Sequence, residues 1–558
     1  MLSYNHLKIQ TTPHGMACLL GMVLLASWPT LSCSALPTLP TLPQATVDTT
    51  YSQPLGKTVT VNAGGDFQAA LNNAKLGDTI VLQAGATFTG PYTLPNKTTG
   101  SGWIYVRSSN YSNLPSPGNR VAPTDVTNMP TIVVGANVGG AVQTASNANH
   151  YRFIGIEFKP VSGQLVTELV QIGNGETSTA LLPHDIIIDR CYIHGDPTIG
   201  TRRGVEMDGN SVAVVDSYVS SFMQVGYDTQ AVWAYNSSGP FKIANNYLEA
   251  AGENILFGGA DPVIPNAVPS DITITGNYLF KPIAWMSVSP AWSVKNLLEL
   301  KNAQRVLIKG NQLENNWPSS QNGFSVLFTP RNQDGNAPWS VVQDVTFVFN
   351  NLVNLAQGIN ILGQDDIHTS QPSSRVLIQN NVIGVSGLGN GAASLFQILH
   401  GMSNLTIDHN TALITASTTT SPNSKLASLD ELPQNDQFAF TNNIVSLGVY
   451  GFFGSGKGVG TAALNAYFTN WTFTNNAIIG ANVSSQYSAN NYFPSSTTAV
   501  GFVDYTNGNY ALASTSPYKN AGTDAKDLGA DLKAFANAIT GVAGSGVLTP
   551  PTGLKVLP

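Results

Sequence analysis

One short segment with a polar corner occurs ten times in this chain, and that recurrence constrains the fold more than any other feature. The segment IDRCYI around Cys191 returns as VDSYV, ANNYLE, TGNYLF, KGNQLE, FNNLVN, QNNVIG, DHNTAL, TNNIVS and TNNAII. Taking one matching position per copy (Cys191, Ser217, Asn246, Asn277, Asn311, Asn351, Asn381, Asn410, Asn443, Asn476), the spacings are 26, 29, 31, 34, 40, 30, 29, 33 and 33 residues. Each copy alternates like a β-strand and has a corner that is usually Asn. A period of this size marks a unit stacked on copies of itself. The 558 residues therefore read as one long solenoid rather than several domains.

Composition supports that reading. Only 10% of residues are charged, and Asn, Ser, Thr and Gly take up the slack, as suits coils whose corners need turn-forming residues. A net charge of -7 leaves no basic footprint for nucleic acid and disfavours docking on anionic membranes. It does not exclude an acidic polysaccharide, because a local basic cleft can coexist with a negative surface.

Residues 1–35 read as an export signal. Lys8 precedes the apolar run Met16–Ser27, whose 12 residues fall short of the ~20 needed to span a bilayer. Small residues follow at Cys33-Ser34-Ala35. The protein is thus expected to be secreted, extracellular or periplasmic, without a membrane span. Lipoprotein anchoring through Cys33 is the weaker alternative, since Thr30 stands where a Leu would be expected. Cys191 is then the one remaining cysteine, read as a small core residue. Residues 36–56 are a Pro/Thr-rich linker, 57–540 the coil domain with its caps, and 541–558 a Pro-rich tail. Phe67, Ala70, Leu71 and Ala74 behind Asp66 predict a short capping helix, Thr79–Leu82 a strand, and Ser516–Asp531 a closing cap. The first clear coil strand is Tyr151 to Phe158, and coils run to about Ile479.

A second strand column follows the corners: GVEMDG, AVWAYN, ENILFG, NLLELK, GFSVLF, GINILG, LFQILHG and GFFGSG. Alternation points Leu298 and Leu300 inward and Glu299 and Lys301 outward. The scarce charges gather here: Glu206, Asp208, Glu253, Glu299, Lys301, Arg331, Asp365, Asp366 and His400. One reading is ladder pairing, Glu299 with Lys301 and Arg331 with Asp365, worth ~0–1 kcal/mol per pair. The other is catalysis. Elimination from an acidic polysaccharide needs a base and a cation that neutralises the uronate carboxylate. Lys301, with Glu299 beside it, suits the base and Arg331 the cation. Glu206, Asp208, Glu253 and Glu299 could hold Ca²⁺, though no compact ligand motif is present. Hydrolysis would need two carboxylates, which Asp365 and Asp366 offer with His400 a coil away, although adjacent Asp residues also form solvated turns. Trp285, Trp292 and Trp317 lie in insertions and suit stacking on sugar rings. Arg202 and Arg203 form a charged loop able to touch substrate. His184 opens a strand and reads as structural.

Over about residues 57–530, the cap, coil pattern and Asn corners resemble the right-handed parallel β-helix superfamily, the pectin lyase-like proteins. The resemblance implies an all-β, right-handed parallel β-helix of about ten or more coils with an N-terminal helical cap. The stretch LLELKNAQRVLIKGNQLENN followed by GFSVLFTPR looks like the strand pair that carries the base Lys and the Arg in alginate and chondroitin lyases of this fold. Carried over, Lys301 is the base and Arg331 the assisting cation. The pectate lyase signature Trp-Ile-Asp-His is absent, and of the polygalacturonase set only Asp365-Asp366 is present. The expectation is a monomeric, secreted, carbohydrate-active lyase on a uronate-containing polysaccharide, with Ca²⁺ as the candidate cofactor. A polygalacturonase-like hydrolase using Asp365 and Asp366, and a non-catalytic carbohydrate-binding or adhesion protein, are the rivals, because fold alone does not select an activity.

Overall fold

Each corner Asn satisfies backbone groups of the coil before it and bonds the Asn of the coil after it, and so ties the stack together. In the computed structural model, Asn277 Oδ1 accepts the Asn246 backbone N–H (2.9 Å) and Asn277 Nδ2 donates to Ile243 O (2.8 Å) and Asn311 Oδ1 (3.0 Å). The pattern repeats through Asn311, Asn350, Asn381, Asn410, Asn443 and Asn476 to Asn491. The sixth rung is thus Asn350, not Asn351, and the spacings around it are 39 and 31 residues. The residue before each rung holds a positive φ, as at Asn245 (55°), Asn380 (56°) and Asn442 (60°), and Phe349 takes that place at 56°. A bulky residue is uncommon there, which is why the FNN triplet misleads by one position. Cys191 begins the ladder fully buried, and burial pushes its thiol up to about 12.

The structure describes residues 36–543 apart from 137, 418, 431, 481 and 482. The expected export signal and the tail beyond 543 lie outside the described residues. Each coil contributes one strand to each of three sheets in turn, for example His184–Asp189, Tyr192–His194 and Thr201–Met207. Strands from successive coils pair in parallel, giving sheets of 14, 13 and 13 strands. This is a right-handed parallel β-helix. Inward residues stack in columns, such as Ile186, Val212, Phe241, Ile272, Val306, Val345, Val376, Leu405 and Phe438, all buried. Burying each such side chain contributes about 1.5–3 kcal/mol. Coils begin well before Tyr151, at the strand Thr58–Val61.

The N-terminal end is closed as the sequence predicts: Asp66 caps the helix Phe67–Asn73, which buries Phe67 and Leu71. The other end is closed by the helix Thr461–Tyr467, with Ala463, Leu464 and Tyr467 buried. The segment expected to close it, Ser516–Asp531, instead runs back along the flank. Gly529 N donates to Asn442 O, Ala530 N to Thr411 Oγ1 and Asp531 N to Asn380 Oδ1. The helix Leu532–Ile539 then lays Phe535 in a cluster with Val382, Leu413 and Ile444, outward positions of the second sheet that need cover.

Residues 36–56 are no free linker either. The N–H groups of Thr38, Thr41 and Gln44 donate to the side chains of Asn404, Asp344 and Asp271 on the first sheet. Pro37, Pro40 and Pro43 set a three-residue repeat, the period of a polyproline II helix, which advances ~9 Å per turn. That matches two coils at ~4.8 Å each, and the three acceptors sit two strands apart along the sheet. Further on, Val47 packs in a cluster with Ile187, Ala213 and Val215.

Candidate functional site

The third sheet carries the charged column. Its outward row reads Gln171, Glu206, Trp233, Leu256, Glu299, Leu327, Asn360, Gln397 in register. Two charged centres stand on it, three coils or roughly 14 Å apart at ~4.8 Å per coil.

The centre around Glu299 is the richer. Lys301 Nζ lies 3.5 Å from Glu299 Oε1, and Lys295 Nζ lies 3.5 Å from Glu253 Oε1 while also pairing with Asp228. Glu253 Oε2 accepts from Gln230 Nε2 (2.7 Å) and Glu299 Oε2 from Asn296 Nδ2 (2.8 Å). Burial, reinforced by the nearby Glu299 charge, pushes the Glu253 carboxyl up to about 7. Burial opposes the Lys295 charge, but Glu253 and Asp228 overcome it and its pKa is raised. The order of exposure is decisive for chemistry: the Glu253 and Glu299 side chains are 1% exposed, Lys295 15% and Lys301 16%. The lysines face solvent and the carboxylates lie beneath them. A cavity of about 330 Å³ lined by Ser320, Gln321, Asn322, Phe324, Leu327 and Asn360 adjoins the pair, and Gln321 bonds Asn296. A larger concavity of about 790 Å³, lined by residues between Lys57 and Asp78, lies at the N-terminal end, away from this column.

The turn that delivers Glu253 is pinned from below. Lys281, fully buried, donates to Ala250 O (2.6 Å), Ala251 O (2.9 Å), Gly252 O (2.9 Å) and Asn254 Oδ1 (3.1 Å). Burial pulls its pKa down to about 7, while every atom aimed at it is an acceptor, as an ammonium requires.

The second centre is Glu206 and Asp208. Asp208 Oδ1 accepts from the backbone N–H groups of Tyr235 (2.7 Å) and Asn236 (2.8 Å). Burial nonetheless raises Asp208 to about 7, and burial with the adjacent Asp208 raises Glu206 well above its ordinary value. Arg203 pairs with Glu168 (2.6 Å) and stacks 3.9 Å over Trp233, which itself stacks on Tyr235. Arg202 lies 5.4 Å over the Tyr227 ring.

Several expectations need correction. Glu206 and Asp208 do not meet Glu253, which stands two coils away beside Glu299. The oxygen set that suits a hard cation is instead Glu253, Glu299 and Asn296. There Glu253 Oε1 and Asn296 Oδ1 are buried without a hydrogen-bond partner among the described residues, and Lys295 and Lys301 compete for the same carboxylates. Asp365 is no candidate acid: its side chain is sealed, pairs with Arg331, and accepts the N–H groups of Asn332 and Ile367. Asp366 instead meets His400 Nε2 at 2.6 Å. Arg331 N donates to Lys301 O (2.9 Å), so the two expected partners are on adjacent coils, with the Arg331 side chain engaged by Asp365. Trp292 and Trp317 are no sugar platforms. They are buried in a small apolar cluster with Met223, Ala251 and Val294, against which the half-buried Trp285 packs. Sequence reasoning missed Lys295, Asp228, Asn296 and Lys281. Lys295 precedes its strand and Lys281 follows one, so neither falls on an alternation pattern.

No family model matches this chain, and no curated protein does. Solved structures do. The catalytic unit of a thermostable GH87 alpha-1,3-glucanase from Streptomyces thermodiastaticus strain HF3-3 is 12% identical with a TM-score of 0.47, covering 81% of this chain and 71% of that one. The PL6 family alginate lyase AlyGC is 14% identical with a TM-score of 0.48, covering 90% of this chain and 59% of its own length. A tailspike protein mutant of E. coli bacteriophage HK620, in complex with a pentasaccharide, is 12% identical with a TM-score of 0.42, covering 78% and 66%. At these identities the likeness extends to the fold alone.

Proposed function

We propose that this protein is a secreted, carbohydrate-active enzyme that cleaves a uronate-containing polysaccharide by β-elimination, with Lys301 as the base. The observation that carries this reading is the layering of the site. Hydrolysis requires two carboxylates that flank the glycosidic bond, whereas Glu253 and Glu299 are sealed beneath lysines that reach the surface. In elimination, the Lys301 amine takes the proton from the carbon beside the uronate carboxylate. The electron pair forms the new double bond, and the glycosidic oxygen leaves from the neighbouring carbon and takes up a proton from the Lys301 ammonium so formed or from water. Lys295 and the outer edge of Arg331 hold the carboxylate, and Glu299 positions Lys301. Ca²⁺, the candidate cofactor, would have to displace Lys295 and Lys301 from Glu253 and Glu299 to be held there with Asn296. The apolar leader read at residues 1–35 supports export, and no helix among the described residues is long and apolar enough to cross a membrane.

One observation favours hydrolysis as the second reading: Glu253, near 7, can carry a proton at neutral pH. A single assay separates the readings. Alginate, pectate and chondroitin sulfate are incubated with the protein, with and without Ca²⁺. Ultraviolet absorbance of an unsaturated product is the expected result. New reducing ends without that absorbance would replace elimination by hydrolysis, and binding without turnover would leave a carbohydrate-binding protein.

A further inference from the structure

Coil stacking brings two histidines and an aspartate together on the first sheet, a different face from the charged column. The strands Asn149–Ile154 and His184–Asp189 pair in parallel with His184 opposite Asn149. His150 and Asp185 both hold a positive φ, 56° and 55°, so both depart from the strand in the same way on adjacent coils. The His184 and His150 rings stand 5.7 Å apart, nearly perpendicular. One nitrogen of each imidazole and one carboxylate oxygen lie within 4.8 Å of one another. All three side chains are about a third exposed, open to an incoming ion and to further ligands from solvent.

The proton inventory shows what this cluster lacks. Asn149 Nδ2 is fixed by Asn96 Oδ1, Lys97 O and Asn147 O, which leaves Asn149 Oδ1 to accept from His150 Nδ1 (2.9 Å). That bond assigns the neutral ring its proton on Nδ1 and turns the Nε2 lone pair toward Asp185 Oδ2, 3.8 Å away. A lone pair facing a carboxylate oxygen across that gap is repulsive unless a proton or a metal ion lies between. The outward hydrogen bond from the far nitrogen is also the support that metal-bound imidazoles use to fix their tautomer. His184 Nδ1 sits 2.7 Å from the same Oδ2, so one carboxylate oxygen serves both rings.

We propose that His150, His184 and Asp185 form a binding site for a borderline transition-metal ion of the Zn²⁺ class, completed by water. Two imidazoles and one carboxylate suit Zn²⁺, Co²⁺ or Ni²⁺ rather than Ca²⁺ or Mg²⁺. The site links two adjacent coils near the N-terminal end of the stack. It is independent of the proposed elimination activity.

The test is titration of untagged full-length protein, stripped with chelator, with Zn²⁺ by calorimetry and with Co²⁺ by visible absorption. His150→Asn, which tolerates the positive φ, and His184→Gln are compared with the parent. One equivalent of Zn²⁺ is expected, with affinity falling at least about tenfold in each variant, the scale on which even supporting groups of metal sites act. A rise in melting temperature with Zn²⁺ is expected in the parent and not in the variants, whose circular dichroism should match the parent. Zn²⁺ binding of equal strength in parent and variants, or none in the parent, overturns the proposal.

Discussion

At the scale of single residues, the informative groups are carboxyls whose proton affinity burial has changed. Asp208 is raised from the ordinary 3.8 to about 7. Between those values the folded chain binds more protons than the unfolded one, so stability falls as pH rises from about 4 through about 7. In Asp208→Asn that slope should flatten, and melting temperature measured across this pH range reads it directly. An unchanged slope would mean Asp208 is charged at neutrality. Glu157 behaves oppositely: burial raises it, but His194, Thr131 and Lys159 overcome burial and bring it to about 2. Its contribution is present above the unfolded value and is lost as pH falls toward 2. None of this was legible from sequence. Glu206 and Asp208 were visible as scarce charges, but whether a carboxyl is sealed or paired depends on Tyr235 and Asn236, which the next coil supplies, and on Arg203 of the same strand, which Glu168 of the preceding coil engages.

At the scale of elements, alternation and corner chemistry carried far. The inward positions Leu298 and Leu300 and the outward Glu299 and Lys301 fall where period-two reasoning places them. The flanking segments did not, for a physical reason. The repeat in LPTLPTLPQ looks like a linker because Pro and Thr cannot build a core, yet its three-residue period matches the stack and its N–H groups find acceptors there. The Trp-rich insertions failed similarly: Trp292 and Trp317 are large enough to form their own apolar cluster beside the coil edge instead of facing solvent. The turn before Glu253 shows how such elements serve the site. Lys281→Met removes the donor for three backbone carbonyls and Asn254 Oδ1 in a fully buried position. A loss of about 3–5 kcal/mol is expected, read as a lower denaturant midpoint. A change under about 0.5 kcal/mol, the range of ordinary surface substitutions, would show that the turn holds without it.

At the scale of the whole molecule, the stack converts sequence spacing into adjacency. Residues 30 or more apart become neighbours ~4.8 Å away, so a ribbon of outward side chains forms one continuous surface. The fold was legible because the period and the Asn ladder are local signals repeated many times. The site was legible only in part, because its chemistry depends on which outward charges are layered over which. Lys301 and Glu299 stand on the outward face where alternation places them, Asp365 was read as an open carboxylate and is sealed against Arg331, and Lys295 was overlooked. The claim that rests most on this layering is that Lys301 takes the proton. The most direct test measures unsaturated product from the polysaccharide that the parent cleaves, in parent and Lys301→Ala, with matched circular dichroism and polysaccharide affinity. A fall in kcat of about 10²–10⁴, the usual contribution of a general base, is predicted with binding retained. Unsaturated product formed by Lys301→Ala at the parental rate would contradict it.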